Sequence, residues 1–130
     1  MEKTIIIDGK QVLFKSTGLA VPLYMSQFNR DLVKDILSMG VMDFDFDTAP
    51  QHQKIDWMRN NIDFNMFFNI AWLFAKIADK RIPDPFTWLD SFDEFPIFEI
   101  MEPLQDLLVK TVGVKKNATV APPNLTKTQK

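Results

Sequence analysis

The stretch "FNMFFNIAWLFAKIA", residues 64–78, decides the fold because it is the most apolar segment of the chain. Twelve of its fifteen residues are apolar, and Asn65, Asn69 and Lys76 lie on one narrow face of a helix. A helix that is apolar nearly all round is a buried one. The pattern therefore predicts a central helix over 64–79, with Asp63 as its N-cap. A membrane span needs about 20 apolar residues, so we expect no membrane association.

The composition of the remaining chain predicts one globular domain over 1–114 and a disordered basic tail over 115–130. The chain has 130 residues and no cysteine, which excludes disulfides and thiolate chemistry. The tail holds four lysines and no acid, so the other 11 basic and 17 acidic residues give 1–114 a net charge of −6. An acidic domain argues against nucleic-acid binding.

The N-terminal stretch "KTIIIDGKQVLFKS" predicts a β-hairpin over 3–16. Asp8-Gly9 favours a type I′ turn, because both central residues of that turn need a positive φ. Two strands alone are marginally stable in water. The hairpin must therefore pack on helices or pair with another chain.

The stretch "VPLYMSQFNRDLVKDIL", residues 21–37, predicts a single amphipathic helix over 22–39. Pro22 suits the first turn of that helix, and Gly40 suits the position after its end. Its apolar stripe consists of Met25, Phe28, Leu32, Ile36 and Met39. Arg30 and Asp31 fall on the opposite face, which predicts a solvated surface pair worth under about 1 kcal/mol.

Two further helices are predicted near the C-terminus, over 85–92 and 96–111. Asp84 can cap the first with Pro85 at its first position, and Pro103 should kink or split the second. Residues 41–62 predict a loop with a short helix near 53–60. The expected fold is therefore mainly α with a short N-terminal β-hairpin, an α+β domain of about four to five helices.

Patterns that could carry catalysis or hold a metal are weak. The acids at 43, 45 and 47 resemble the start of a calcium loop, but Thr48 and Lys54 stand where such a loop needs Gly and Glu. His52 is the only histidine, so no multi-histidine or cysteine metal site is available. No glycine-rich phosphate loop is present either. We expect no catalytic residue, cofactor or metal.

Residues 82–109 combine seven acids with no lysine or arginine. Five aromatic side chains are interleaved with these acids: Phe86, Trp88, Phe92, Phe95 and Phe98. Two interpretations remain open from the residues alone. The segment is either a solvated acidic face or a surface suited to a basic amphipathic helix of a partner.

Two blocks of the sequence, over 7–37 and 69–100, resemble tail assembly chaperones of long-tailed phages and prophages of Gram-positive bacteria. The first block carries a hairpin followed by Phe14-Lys15-x-Thr17-Gly18, then Tyr24, Phe28-x-Arg30-Asp31 and Asp35. The second is "NIAWLFAKIADKRIPDPFTWLDSFDEFPIFEI", with an Ala-Trp, a Lys after a small residue, an acidic-Pro loop, a Trp-Leu and a Phe-Glu-Ile segment.

The resemblance implies a non-enzymatic role in the bacterial host cytoplasm. Chaperones of this family coat the tape measure protein before tail tube subunits assemble around it, and they are absent from the mature virion. The major tail protein and further copies of the chaperone are additional expected partners. A longer form made by ribosomal frameshift is a common feature, and Lys115-Lys116 is compatible with a slippery run.

The predicted partner-binding residues come from the 82–109 region and from the first matching block. The alternative function is a structural tail completion or connector protein of the phage particle. For Arg30 and Asp31, the resemblance adds a bridge to a neighbouring copy or a brace for the hairpin. The complete predicted set is Phe95, Phe98, Met101, Leu104, Leu108, Arg30 and Asp31.

Overall fold

The computed structural model describes residues 1–113 apart from the side chain of Met42, and in this part of the chain six α-helices follow a β-hairpin. The predicted class, mainly α with an N-terminal hairpin, is confirmed. The predicted tail over 115–130 lies outside the described residues. Six helices occur rather than four or five, because the predicted helix over 22–39 is two helices and the segment after residue 50 forms a full helix.

The hairpin consists of β1, Glu2–Ile7, and β2, Lys10–Lys15. The strands are antiparallel, with Ile7 opposite Lys10 and Glu2 opposite Lys15. Asp8 and Gly9 both have positive φ, as the predicted turn requires. Alternate side chains face the helices, so Ile7, Val12 and Phe14 are buried while Ile6 and Leu13 are exposed.

The prediction of a single helix over 22–39 is wrong in one respect, because the helix is interrupted at residues 29–31. Helix α1 is Ala20–Phe28 and α2 is Leu32–Ser38. Asn29 ends α1 in the left-handed conformation, with φ 57°. Asp31 is extended and accepts a hydrogen bond from the Lys34 N–H, which makes it the N-cap of α2. The break turns Met25 to solvent and buries Tyr24.

Helix α4, Phe64–Ala78, lies at the centre of the domain and is buried along most of its length. Asp63 caps it as predicted, accepting a hydrogen bond from the Met66 N–H. Strand β2, helix α1 and helix α5, Pro85–Asp90, pack against α4. Three small residues, Ala71, Ala75 and Ala78, recur on α4 at a spacing of three or four, which allows neighbouring elements to approach closely.

Helices α5, Pro85–Asp90, and α6, Ile97–Val112, complete the domain. Asp84 caps α5 and Pro85 takes its first position, as predicted. Helix α6 continues through Pro103 and is not split there. It packs against β1 and α2, and Ser16 at the end of β2 shares a hydrogen bond of 2.7 Å with Thr111.

The connection between α2 and α4 holds a short 3-10 helix, Val41–Asp43, and α3, Gln51–Asn61. The short helix predicted near 53–60 is therefore present and longer than expected. The buried Gln105 amide on α6 donates to the carbonyl oxygens of Val41 and Phe44, at 2.6 and 2.7 Å. These two hydrogen bonds fix the start of the connection to the core.

The left-handed Asn29 gives a test of the helix break. Asn29→Gly should leave the free energy of unfolding unchanged or slightly higher, since glycine adopts positive φ without steric cost. Asn29→Val should lower it by about 1–2 kcal/mol, because a β-branched residue is strained in this region. Urea denaturation followed by circular dichroism measures both. A valine variant as stable as wild type would contradict the break.

Candidate partner-binding surface

The break between α1 and α2 is held by a hydrogen-bonded group of three side chains around the buried Asp35 carboxylate. The Arg30 guanidinium donates from Nε to Oδ2 at 2.7 Å and from Nη2 to Oδ1 at 2.8 Å. The Tyr24 hydroxyl donates to Oδ2 at 2.7 Å. The Asp35 side chain is 7% exposed and that of Arg30 is 54% exposed, so the carboxylate is buried beneath its cation.

The environment of this group shifts the pKa of each member in the direction that favours the protonation state it has at neutral pH. The hydrogen bonds from Arg30 lower the pKa of Asp35, although burial acts against them. Burial, followed by the Asp35 carboxylate, raises the pKa of the Tyr24 phenol. The hydrogen bonds to Asp35 raise the pKa of the Arg30 guanidinium. At neutral pH the group is therefore a carboxylate, a cation and a neutral hydroxyl.

The structure separates the roles of Arg30 and Asp31, which the sequence predicted as a solvated pair on one helix face. Arg30 does not lie on a helix and its partner is Asp35. Asp31 is exposed and caps α2. Arg30 therefore pairs with Asp35 and not with Asp31, and its bidentate contact with a buried carboxylate is of a stronger and more specific kind than an exposed ion pair.

The predicted contact residues on α6 and just before it divide into buried and accessible positions. Met101, Leu104 and Leu108 are fully buried in the domain core, so their side chains are unavailable to a partner in this structure. Phe95 is half-buried and lies against Phe92 and Trp88. Phe98, which is 42% exposed, is the accessible member of the predicted set on this helix.

A second exposed aromatic side chain, which the sequence-based set leaves out, lies on α5. Phe86 is 85% exposed, although its neighbour Trp88 is buried. Exposed acids flank each accessible aromatic along the chain: Asp84 and Asp90 on either side of Phe86, and Glu94 and Glu99 on either side of Phe98. We call Phe86, Phe98 and these four acids the aromatic–acidic surface. The repeated aromatic and acid pattern predicts it, but not which aromatics are exposed.

The other candidate groups are separate from this surface. Asp45 accepts hydrogen bonds from the N–H groups of Asp47 and Thr48, which makes it a turn-forming residue. His52 is exposed near the start of α3. Within residues 1–113, no group of three or more His, Asp and Glu side chains could hold a metal ion. In the same region, no helix has the length and apolar character needed to cross a membrane.

The depressions on the surface of residues 1–113 include an open groove and a polar hollow. An open groove of about 440 Å³ runs between residues 10–13 of β2 and the end of α4, with Trp88 and Phe92 at its far side. A polar hollow of about 180 Å³ is lined by Tyr24, Arg30 and Asn69 among others. Asp79 and Arg81 both line the groove, and they form a salt bridge with each other. Neither depression gathers a set of reactive groups.

The residues that carry the resemblance make contacts both between the two matching blocks and within the second block. Phe28 packs edge-to-face on Trp72, with ring centroids 5.6 Å apart. The Trp72 indole N–H donates to the Pro83 carbonyl at 2.7 Å. Lys76 donates to the carbonyl oxygens of Lys80 and Ile82. Phe14 meets Trp88 at 6.4 Å. The matching residues therefore make contacts that hold the fold together. The spacing of these residues in the sequence does not by itself reveal those contacts.

Comparisons of the chain with protein-family models, with curated proteins and with solved structures found no match.

The Asp35 group predicts a defined acid sensitivity. Because the pKa of Asp35 is lowered in the folded chain, the unfolded chain takes up a proton at this residue at a higher pH than the folded chain does. Stability from this group is thus present at neutral pH and is lost as the pH falls below about 3.9, the usual Asp value. Asp35→Asn should lower the free energy of unfolding at pH 7 by about 2 kcal/mol, through its lost charged hydrogen bonds.

The Asn variant should also lose less stability than wild type between pH 5 and pH 2, measured by urea denaturation at each pH. Asp31→Asn is the matched control, because asparagine is an equally good N-cap and Asp31 is exposed. A control as unstable as Asp35→Asn, or identical acid profiles for wild type and Asp35→Asn, would contradict the assignment.

Proposed function

We propose that the protein is a phage tail assembly chaperone, which binds and solubilises the tape measure protein and helps recruit tail tube subunits. The role is non-catalytic, and the protein acts in the cytoplasm of the bacterial host and is absent from the mature virion. The proposal rests on the sequence resemblance over 7–37 and 69–100. The main partner is a long, mostly helical protein with apolar stripes that aggregate when they are left bare.

The observation that carries the proposal is the contact between the two resembling blocks. Tyr24 and Phe28 in the first block and Trp72 in the second belong to one packed region, with ring centroids 5.1 and 5.6 Å apart. Residues that determine a fold are the ones that a family sharing that fold would keep similar. The match therefore involves positions with a physical reason to recur, rather than surface residues free to vary.

The aromatic–acidic surface supports the same role through its chemistry. Exposed aromatic side chains provide large contact areas, and a rim of acids favours a partner helix that carries lysine and arginine beside its apolar stripe. Each copy would bind weakly, and many copies along one long partner would act together through avidity. Weak individual contacts also allow tail tube subunits to displace the chaperone.

The first test is co-expression with the tape measure gene of the same phage or prophage. Phe86→Asp and Phe98→Asp should each reduce the soluble fraction of the tape measure protein, because truncating a central aromatic contact costs about 1–2 kcal/mol or roughly tenfold in affinity. Their own melting temperatures should stay close to wild type, since both side chains are exposed.

Leu37→Asp is the matched control, because Leu37 is exposed to a similar degree but lies on α2, outside the aromatic–acidic surface. It should solubilise the partner as well as wild type does. Equal activity of all three variants would refute this surface as the contact site. A wild-type protein that does not raise the solubility of the tape measure protein would refute the proposed function.

The second test separates a chaperone from a tail completion or connector protein. Mass spectrometry of purified particles should detect the tape measure and tail tube proteins but not this chain. A fixed number of copies in mature particles would instead favour the structural role. Lysate from infected or induced cells is the positive control, since the protein should be abundant there during assembly.

A further inference from the structure

The outer edge of β1 is a row of main-chain hydrogen-bonding groups with no strand beside it in residues 1–113. The sheet has two strands in this part of the chain, so β1 has one paired edge and one open edge. Ile7 and Lys10 flank the two-residue turn, so their main-chain groups exchange hydrogen bonds. Two residues further along, Ile5 and Val12 form the next hydrogen-bonded pair. Because the pattern alternates, the N–H and C=O groups of Glu2, Thr4 and Ile6 point away from β2.

The side chains along this edge favour pairing with another strand. Thr4, Ile5, Ile6 and Ile7 are four consecutive β-branched residues, and β1 contains no proline or glycine. Ile6 is 57% exposed on the outer face of the hairpin. Edge strands are commonly protected from association by charges, prolines or bulges. The stretch from Thr4 to Ile7 has none of these.

Lys3, the charged residue just before this stretch, points away from the edge. Lys3 lies on the helix-facing side of β1, where its ammonium group binds Asp106 of α6 at 2.9 Å. Glu2 lies at the start of the strand, 3.7 Å from the Lys15 ammonium group. The charges at the start of β1 are therefore paired within the chain, and they leave the apolar part of the edge uncovered by charge.

The strand is complementary to itself in antiparallel orientation. With Thr4 opposite Thr4 of a second copy, Glu2 of each copy lies opposite Ile6 of the other, and all three outward-facing residues exchange hydrogen bonds. No two like charges then lie opposite each other. The product is a four-stranded antiparallel sheet with the two copies related by a two-fold axis, which is the commonest symmetry of homodimers.

The distribution of charge also favours a second copy at this edge. Residues 1–16 contain three basic and two acidic residues, whereas residues 17–113 contain eight basic and fifteen acidic, giving net charges of +1 and −7. Two copies of an acidic domain repel each other through most of their surfaces. Association through the hairpins brings together the part of each copy that carries no net negative charge.

We propose that β1 is a self-association edge, where two copies of the chain pair antiparallel about Thr4 to form a four-stranded sheet. The interface is small, below about 1,200 Å² in total, and belongs to the transient class. We expect a dissociation constant of about 10–100 µM. The proposal is independent of the chaperone role, since it rests on the hairpin and on the distribution of charge.

Sedimentation velocity of the full chain, from about 5 to 500 µM, tests the expected affinity. Wild type should shift from monomer to dimer, and Ile6→Lys and Thr4→Pro should each raise the dissociation constant at least tenfold. The proline removes no hydrogen bond within the hairpin, because the Thr4 N–H points outward. Gln11→Pro is the matched control on the open edge of β2, and it should dimerise as wild type does.

A cross-linking experiment locates the contact, because the natural chain has no cysteine. Thr4→Cys should form a disulfide-linked dimer under mild oxidation, whereas Gln11→Cys should remain monomeric. Thermal melts of each variant establish that the hairpin is folded. A wild type that stays monomeric up to 500 µM, or dimers weakened equally by Gln11→Pro and Thr4→Pro, would overturn the proposal.

A variant lacking residues 114–130 distinguishes a second copy from the chain's own terminal segment. Dimerisation of this variant at the wild-type affinity supports pairing between copies. An increase in affinity of more than tenfold on removal of the segment would mean that the segment competes for the β1 edge, and would overturn the assignment of a second copy as the occupant.

Discussion

Helix α4 sets the main constraint on this fold, because a helix with apolar residues on nearly every side must be surrounded by other elements. The hairpin, α1 and α5 each cover part of it, and its own residues Phe67, Leu73 and Phe74 are fully buried. Segments that precede α4 in the chain and segments that follow it both cover its surface.

The Asp35 group shows how a polar interaction can specify the path of a chain around such a core. A buried carboxylate loses hydration, which is unfavourable unless charged hydrogen bonds replace the lost water. Here Tyr24 on α1 and Arg30 in the break supply three of them to Asp35 on α2. The group therefore favours the broken conformation over one continuous helix, in which Arg30 and Asp35 would be five residues apart and on different faces.

The sequence predicts elements whose cause is local, and it fails where the cause is a distant contact. The Asp8-Gly9 turn, the Asp63 and Asp84 caps and the buried α4 are determined by neighbouring residues, and the structure confirms them. The break at Asn29 is not predictable from periodicity, because Leu32 and Ile36 keep a helical spacing with Phe28 across it. Likewise an apolar stripe predicts burial for Met101, Leu104 and Leu108 without saying whether the covering surface belongs to the same chain or to a partner.

The two ends of the described chain meet at Ser16. Its N–H donates to the Met1 carbonyl at 3.0 Å, and its hydroxyl contacts Thr111, two residues before the left-handed Gly113 that ends α6. The two ends of residues 1–113 therefore lie close together, beside the open end of the hairpin. A circularly permuted chain, with the ends joined there and reopened in a surface loop, would preserve the contacts around α4.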